Sequence, residues 1–242
     1  MHRELEGPEG GPPVVCLHGG IGTGRYHWSR QVDALATDHR VHLPDLPGHG
    51  GSPLPEAGGY SYELLAEAIE AYLADLGEPA HVIGFSMGGH AALRVVAARP
   101  ELFASLALVG VVLWEHPDFA GWRARFDPDR LEADFPSWAR ALAKLHSPLG
   151  AEAWRDVLVR DAGGALELGV DLAALAGVDV PTLLARGDRD PVVPASQYAK
   201  LREVWPHADE LVVPYGGHDV QLTRHGLVRP ALIDFLDRAK EV

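Results

Sequence analysis

Residues Gly84-Phe85-Ser86-Met87-Gly88 join an unbroken apolar run, Ala80 to Phe85, to an alanine-rich stretch, Met87 to Arg99. The run reads as a strand and the stretch as a helix. The bare G-x-S-x-G pattern is weak, since chance places one in roughly one chain of this size in ten. Its position is what constrains the fold. A serine on a tight strand-to-helix turn is held in a strained backbone conformation. Glycines two residues to either side let neighbouring backbone come close. The hydroxyl then projects into the crevice above the carboxyl ends of the strands. The new helix aims its first N–H groups and its positive dipole end at the same place.

The rest of the chain supplies the alternation that such a turn requires. Pro13 to Leu17 reads as a buried strand, Trp28 to Leu35 as a helix, and Arg40 to Leu43 as a strand before a Pro/Gly-rich loop, Pro44 to Pro55. Ser61 can cap the next helix, with Glu63 in its first turn. Leu65, Ala68, Ile69, Tyr72, Leu73 and Leu76 recur at three- and four-residue spacing, and Gly77 ends the helix. Leu106 to Leu113 is apolar without alternation, as in a parallel strand covered on both faces. After Pro181 the rhythm resumes with Thr182 to Arg186, Ala195 to Val204, Glu210 to Val213 and Leu227 to Ala239. Strands alternating with helices predict an α/β fold, a doubly wound and mostly parallel sheet. Only His2 to Glu6 is available for an early strand, so the N-terminal edge is expected to be short of one or two strands.

Residues 114–178 break this pattern. They hold four of the six tryptophans (Trp114, Trp122, Trp138, Trp154) and show mostly helical periodicity. The expected organisation is therefore a core of residues 1–113 and 179–242 with a helical lid, 114–178, inserted. A lid would cover the crevice and exclude water. Trp114, Trp122 and Trp138, with Phe119, Phe126 and Phe135, are candidates to line a substrate pocket; packing the lid onto the core is the equal alternative. Arg123, Arg125, Arg140, Arg155 and Arg160 read as a solvated helix face. Two of them turned inward would indicate an anionic substrate.

Composition narrows the function classes. A formal charge of −13, from 21 basic and 34 acidic residues, argues against nucleic acid and anionic membranes as partners and leaves a small-molecule substrate. The longest apolar run, Leu106 to Trp114, is too short to span a bilayer, and the first residues do not form an apolar leader. Cys16 is the single cysteine, in a buried-looking run, which excludes an internal disulfide and fits a reducing cytoplasm. The 13 histidines contain no H-E-x-x-H and no helical H-x-x-x-H pair, so no metal is expected. The Gly19 to Gly24 loop lacks the Lys-Ser/Thr of a phosphate-binding loop, so no nucleotide cofactor is expected either.

A serine hydroxyl is a weak nucleophile at its ordinary pKa, and it needs a base that is itself oriented by an acid. His218, in Tyr215-Gly216-Gly217-His218 after the last strand, can swing over Ser86; His225 is the alternative. Asp188 and Asp190 both follow the strand Thr182 to Arg186.

In these and three further segments the chain resembles the α/β-hydrolase family. His18-Gly19-Gly20 is similar to its oxyanion loop. Asp45-Leu46-Pro47-Gly48-His49-Gly50-Gly51-Ser52 is similar to its D-x-P-G-x-G-x-S segment. Gly187-Asp188-Arg189-Asp190-Pro191 and Gly217-His218 are similar to its late acid and histidine loops. The resemblance implies Ser86 as nucleophile, His218 as base and Asp190 as the orienting acid. It implies the backbone N–H groups of Gly20 and Met87 as the oxyanion hole. His18, Asp45 and His49 are expected to brace loops. The expected activity is hydrolysis of a carboxylic ester through an acyl-enzyme, of the carboxylesterase type. The alternatives are a carbon–carbon bond hydrolase, a lyase like the family's menaquinone-pathway member, and a ligand-binding receptor on the same fold. Dehalogenase and epoxide hydrolase chemistry is disfavoured, because such relatives place an aspartate where Ser86 stands.

Overall fold

A computed structural model describes residues 1–55, 59–114, 126–162 and 167–240. Seven strands form one sheet: β1 (Arg3–Glu6), β2 (Pro13–Leu17), β3 (Arg40–Pro44), β4 (Ala80–Phe85), β5 (Phe103–Val109), β6 (Thr182–Gly187) and β7 (Asp209–Val213). Their order is β1-β3-β2-β4-β5-β6-β7. Only β1 is antiparallel; it pairs with β3 through Arg3↔Pro44 to Glu6↔Val41. This exposed strand forms one edge of the sheet.

The unalternating apolar runs are explained by burial on both faces. Val15, Leu17, Val82, Leu106, Leu108 and Leu184 face one layer. There they meet α3 (Tyr62–Asp75), α4 (Ser86–Ala98) and α9 (Ala195–Val204). Their immediate neighbours Val14, Cys16, Ile83, Ala107, Val109, Leu183 and Ala185 face the other layer. That layer holds α1 (Gly24–Trp28), α2 (Val32–Leu35), α10 (Val220–Thr223) and α11 (His225–Ala239). A period of two thus sorts these runs onto two cores, and successive residues are apolar because both faces are buried.

Helix α3 begins as expected, with Ser61 Oγ accepting from Leu64 N at 3.2 Å. The single helix expected over Trp28 to Leu35 is instead two short ones, split at Ser29–Gln31. The strand expected to run to Leu113 ends at Val109, because Gly110 has φ +57° and turns the chain.

Between β5 and β6 the described residues carry α5 (Pro128–Asp134), α6 (Pro136–His146), α7 (Ala153–Ala162) and α8 (Leu172–Leu175). Leu131, Ala139, Leu142, Trp154 and Leu158 form a small core of their own. No helix among the described residues is long and apolar enough to cross a membrane.

Candidate active site

Strand β4 delivers Ser86 at the carboxyl edge of the sheet. Its φ of +46° is a left-handed conformation that costs a non-glycine residue about 1–2 kcal/mol. The two glycines of the pentad permit it. A Cβ on Gly84 would stand 2.5 Å from Gly89 Cα, and one on Gly88 would stand 2.5 Å from the His18 carbonyl oxygen. Gly88 N donates to that same oxygen at 3.0 Å, which ties the nucleophile turn to the loop after β2.

Ser86 Oγ lies 3.0 Å from His218 Nε2, and His218 Nδ1 lies 2.9 Å from Asp190 Oδ2. The Asp190 side chain is 1% exposed. Its other oxygen, Oδ1, accepts from Val192 N at 2.8 Å and Val193 N at 3.0 Å. Burial pushes its pKa up, but His218 and the two N–H donors outweigh this and hold it below the ordinary value. An ionised Asp190 accepts from Nδ1–H, so the neutral ring presents a bare Nε2 to the serine hydroxyl.

Asp188 does different work: its Oδ1 accepts from Gly216 N at 3.1 Å and so fixes the histidine loop. His225 begins α11 and makes no hydrogen bond to Ser86 among the described residues; the structure brings His218 to the serine. The N–H of Gly20 has no hydrogen-bond partner among the described residues, and Met87 lies in the first turn of α4, where helix N–H groups lack intrahelical partners.

The loops behind the site are braced by the residues expected to do so. His18 donates from Nδ1 to Gly19 O at 2.8 Å and accepts at Nε2 from Leu46 N at 2.8 Å. Burial, more than the neighbouring His49, lowers its pKa to about 3, so it is neutral. Asp45 accepts from Gly24 N at 3.2 Å and Gly51 N at 3.0 Å. His49 Nδ1 lies 3.1 Å from the Pro47 carbonyl oxygen.

In front of Ser86 lies a cavity of about 280 Å³. Ile21, Phe85, Val112, Leu142, Val192 and Leu222 make much of its wall apolar. Trp138 lines it. Trp114 does not: it is 38% exposed, with its carbonyl accepting from Gln197 Nε2 at 2.9 Å. Trp154 is buried in the small cluster with Leu131, Ala139, Leu142 and Leu158, and Phe135 is exposed. Trp122, Phe119, Arg123 and Arg125 lie outside the described residues.

No described arginine lines the cavity. Arg155 pairs with Asp129, Glu132 and Glu152, and Arg130 with Asp134. Arg160 donates to Gly48 O at 2.7 Å and lies over the Tyr60 ring at 4.5 Å. The charges that do line the cavity include two carboxylates, Asp161 and Asp219.

Asp161 is the residue that the sequence reading missed. Its side chain is 5% exposed and accepts from Ile21 N at 2.6 Å and Tyr60 Oη at 2.8 Å, with His49 Nε2 at 2.8 Å. A signal was present: Val157, Leu158 and Asp161 share one helix face at three- and four-residue spacing, and Val157 and Leu158 are fully apolar and buried. An acid on such a stripe asks for partners. Among the described residues no group of His, Cys, Asp or Glu could hold a metal ion.

Known proteins share this architecture. The profile of the alpha/beta hydrolase family matches residues 14–231. A pimeloyl-[acyl-carrier protein] methyl ester esterase of Aeromonas hydrophila is 32% identical over 230 residues, covering 86% of this chain and 89% of that one. A protein of Pseudomonas savastanoi pv. phaseolicola, provisionally named carbamate hydrolase RutD, is 29% identical over 246 residues, covering 93% and 94%. The solved 2-hydroxy-6-oxo-6-phenylhexa-2,4-dienoate hydrolase of a Rhodococcus strain superposes with a TM-score of 0.79 at 24% identity, covering 98% of this chain and 94% of that one.

Proposed function

The chain belongs to the alpha/beta hydrolase family, and from that premise we propose that it is a serine hydrolase cleaving a carboxylic ester of a small or medium, apolar acyl group. The observation that carries this reading is the continuous chain Asp190–His218–Ser86, with separations of 2.9 and 3.0 Å, at the wall of an apolar cavity. The ester-cleaving activity in the name of the Aeromonas relative supports it.

In this reading Ser86 Oγ attacks the ester carbonyl carbon while its proton passes to His218 Nε2. Asp190 stabilises the imidazolium that forms. Negative charge moves to the former carbonyl oxygen, where the N–H groups of Gly20 and Met87 receive it; each such donor is worth about 3 kcal/mol. As the intermediate collapses, His218 returns the proton to the departing alkoxide oxygen and an acyl-Ser86 remains. Water then attacks the acyl carbon, with His218 taking its proton and giving it to Ser86 Oγ. Core residues 1–113 and 179–242 supply these groups. Residues 114–178 act as the lid, with Trp138 and Leu142 against the substrate.

The carboxylates of Asp161 and Asp219, and the lack of any described arginine in the cavity wall, favour an uncharged acyl group. Inward arginines would favour an anionic carbon–carbon hydrolase or lyase substrate instead, and no described arginine lines the cavity.

A chain-length series of p-nitrophenyl esters, run with wild type and Ser86→Ala, tests the reading. Turnover that is abolished in the variant is expected. A folded wild type that turns over none of the esters contradicts it.

A further inference from the structure

The oxyanion loop is the least self-supporting part of the site. Gly19 and Gly20 have no side chains to restrict their backbone, and the Gly20 N–H must nonetheless point at one place. The next residue, Ile21, is β-branched yet has φ +56°. A β-branched residue in the left-handed region is a true outlier and persists only where its surroundings hold it.

What holds it comes from the insertion. The Ile21 N–H donates to Asp161 Oδ2 at 2.6 Å, and His146 Nε2 lies 3.1 Å from the Ile21 carbonyl oxygen. The bond made by the other His146 nitrogen fixes the tautomer. Gly50 N donates to His146 Nδ1 at 3.0 Å, so Nδ1 is bare and Nε2 carries the proton that it gives to Ile21. His146 is fully buried.

Asp161 is equally committed. Tyr60 and Ile21 donate to it, and His49 Nε2 lies 2.8 Å from its Oδ2. Burial opposes its charge, but these partners and Arg160 outweigh burial and bring its pKa to about 2. A Cβ on Gly20 would stand only 3.3 Å from Asp161 Oδ2, so the carboxylate also packs directly on the residue whose N–H matters.

We infer that Asp161 and His146 are positioning residues that clamp both polar groups of the Ile21 backbone and thereby aim the Gly20 N–H into the cavity. This rests on the proposed hydrolase reading, in which that N–H meets the oxyanion. The insertion then does more than cover the site. It completes the geometry of a donor that the core carries but does not hold alone. The clasp spans 140 residues of sequence between Ile21 and Asp161.

Three variants test this. Asp161→Ala removes the acceptor and is expected to lower kcat for p-nitrophenyl esters about 10- to 100-fold, with KM changed less than about threefold and the same loss at every acyl length. Asp161→Asn keeps an oxygen for Ile21 N–H, while its amide nitrogen can donate to Tyr60 Oη, whose own proton can turn to Met87 Sδ 3.2 Å away. It is expected to restore kcat to within about threefold of wild type. His146→Ala, which frees the Ile21 carbonyl, is expected to lower kcat about 3- to 10-fold.

Hydrogen exchange at the Ile21 amide is read without substrate, and it should be at least about tenfold faster in Asp161→Ala. Unchanged exchange overturns the clamp. So does a wild-type kcat in Asp161→Ala, or a loss confined to KM for long acyl chains, which would make Asp161 only a wall of the cavity. Absence of ester turnover in the wild type counts against the proposed reaction, and the exchange result then decides the clamp by itself.

Discussion

Gly187 closes β6 where the acid loop leaves the sheet, and a methyl group there has nowhere to go. A Cβ at Gly187 would lie 2.2 Å from the Gly216 carbonyl oxygen and 2.3 Å from that of Gly217. Ordinary contact begins near 3.4 Å, so the histidine loop would have to retreat by about 1 Å. That loop has little freedom, because Arg189 N donates to Gly216 O at 2.9 Å and Asp188 Oδ1 accepts from Gly216 N at 3.1 Å. His218 follows two residues later, so a retreat of this size opens the 3.0 Å contact between Nε2 and Ser86 Oγ beyond hydrogen-bond reach. A misplacement of about 1 Å costs about 100-fold in rate. Gly187→Ala is therefore expected to lose about 100-fold in kcat/KM and about 1–3 kcal/mol of stability from overpacking. Gly217→Ala is the matched control, since nothing lies within 4 Å of a Cβ there. Ester kinetics and urea unfolding of both proteins read the outcome. A Gly187→Ala enzyme within threefold of wild type would refute the reasoning, as would equal losses in the two variants.

Other expectations concern charge. In Asp190→Asn the single amide oxygen is claimed by the Val192 and Val193 N–H groups, which turns the amide nitrogen toward His218 Nδ1. The proton then moves to Nε2, and the ring no longer accepts from Ser86; kcat should fall on the order of 1,000-fold or more, with KM little changed, and near-normal kcat would count against the assigned role. His18 and His90 are fully buried, with pKa values lowered by burial to about 3 and about 4. The unfolded chain protonates its histidines near pH 6.5 while the folded one does not. Stability should therefore fall as pH drops from about 6.5 toward 4, by about 1.4 kcal/mol per pH unit for each of the two. Urea midpoints that stay flat between pH 7 and 5 would contradict this.

The legible parts of this molecule were those with local grammar. The pentad around Ser86 sits where strand and helix signals meet, and the Ser61 cap and Gly77 stop bracket α3 nearly to the residue. The Asp190 and His218 loops follow strands whose apolar runs were plain. Three kinds of feature were not legible. Trp114 looked like a pocket residue because large aromatics suit pockets, but the chain turns at Gly110 and carries it to the surface. The stretch Trp28 to Leu35 had helical spacing but broke into two turns, with Gln31 Nε2 drawn away to the Gln221 carbonyl oxygen. Asp161 on α7 meets Ile21, His49 and Tyr60 only in the folded chain, and no sequence spacing encodes a contact across 140 residues.

The central claim is that Ser86 is a nucleophile activated by His218. Its most direct test is the mass of the folded protein after treatment with a fluorophosphonate, which phosphonylates only an activated serine and releases fluoride. The account predicts one adduct per chain, located on the peptide containing Ser86 and missing from both Ser86→Ala and His218→Ala. Ester turnover by an unlabelled protein, or an adduct on another residue, would contradict it.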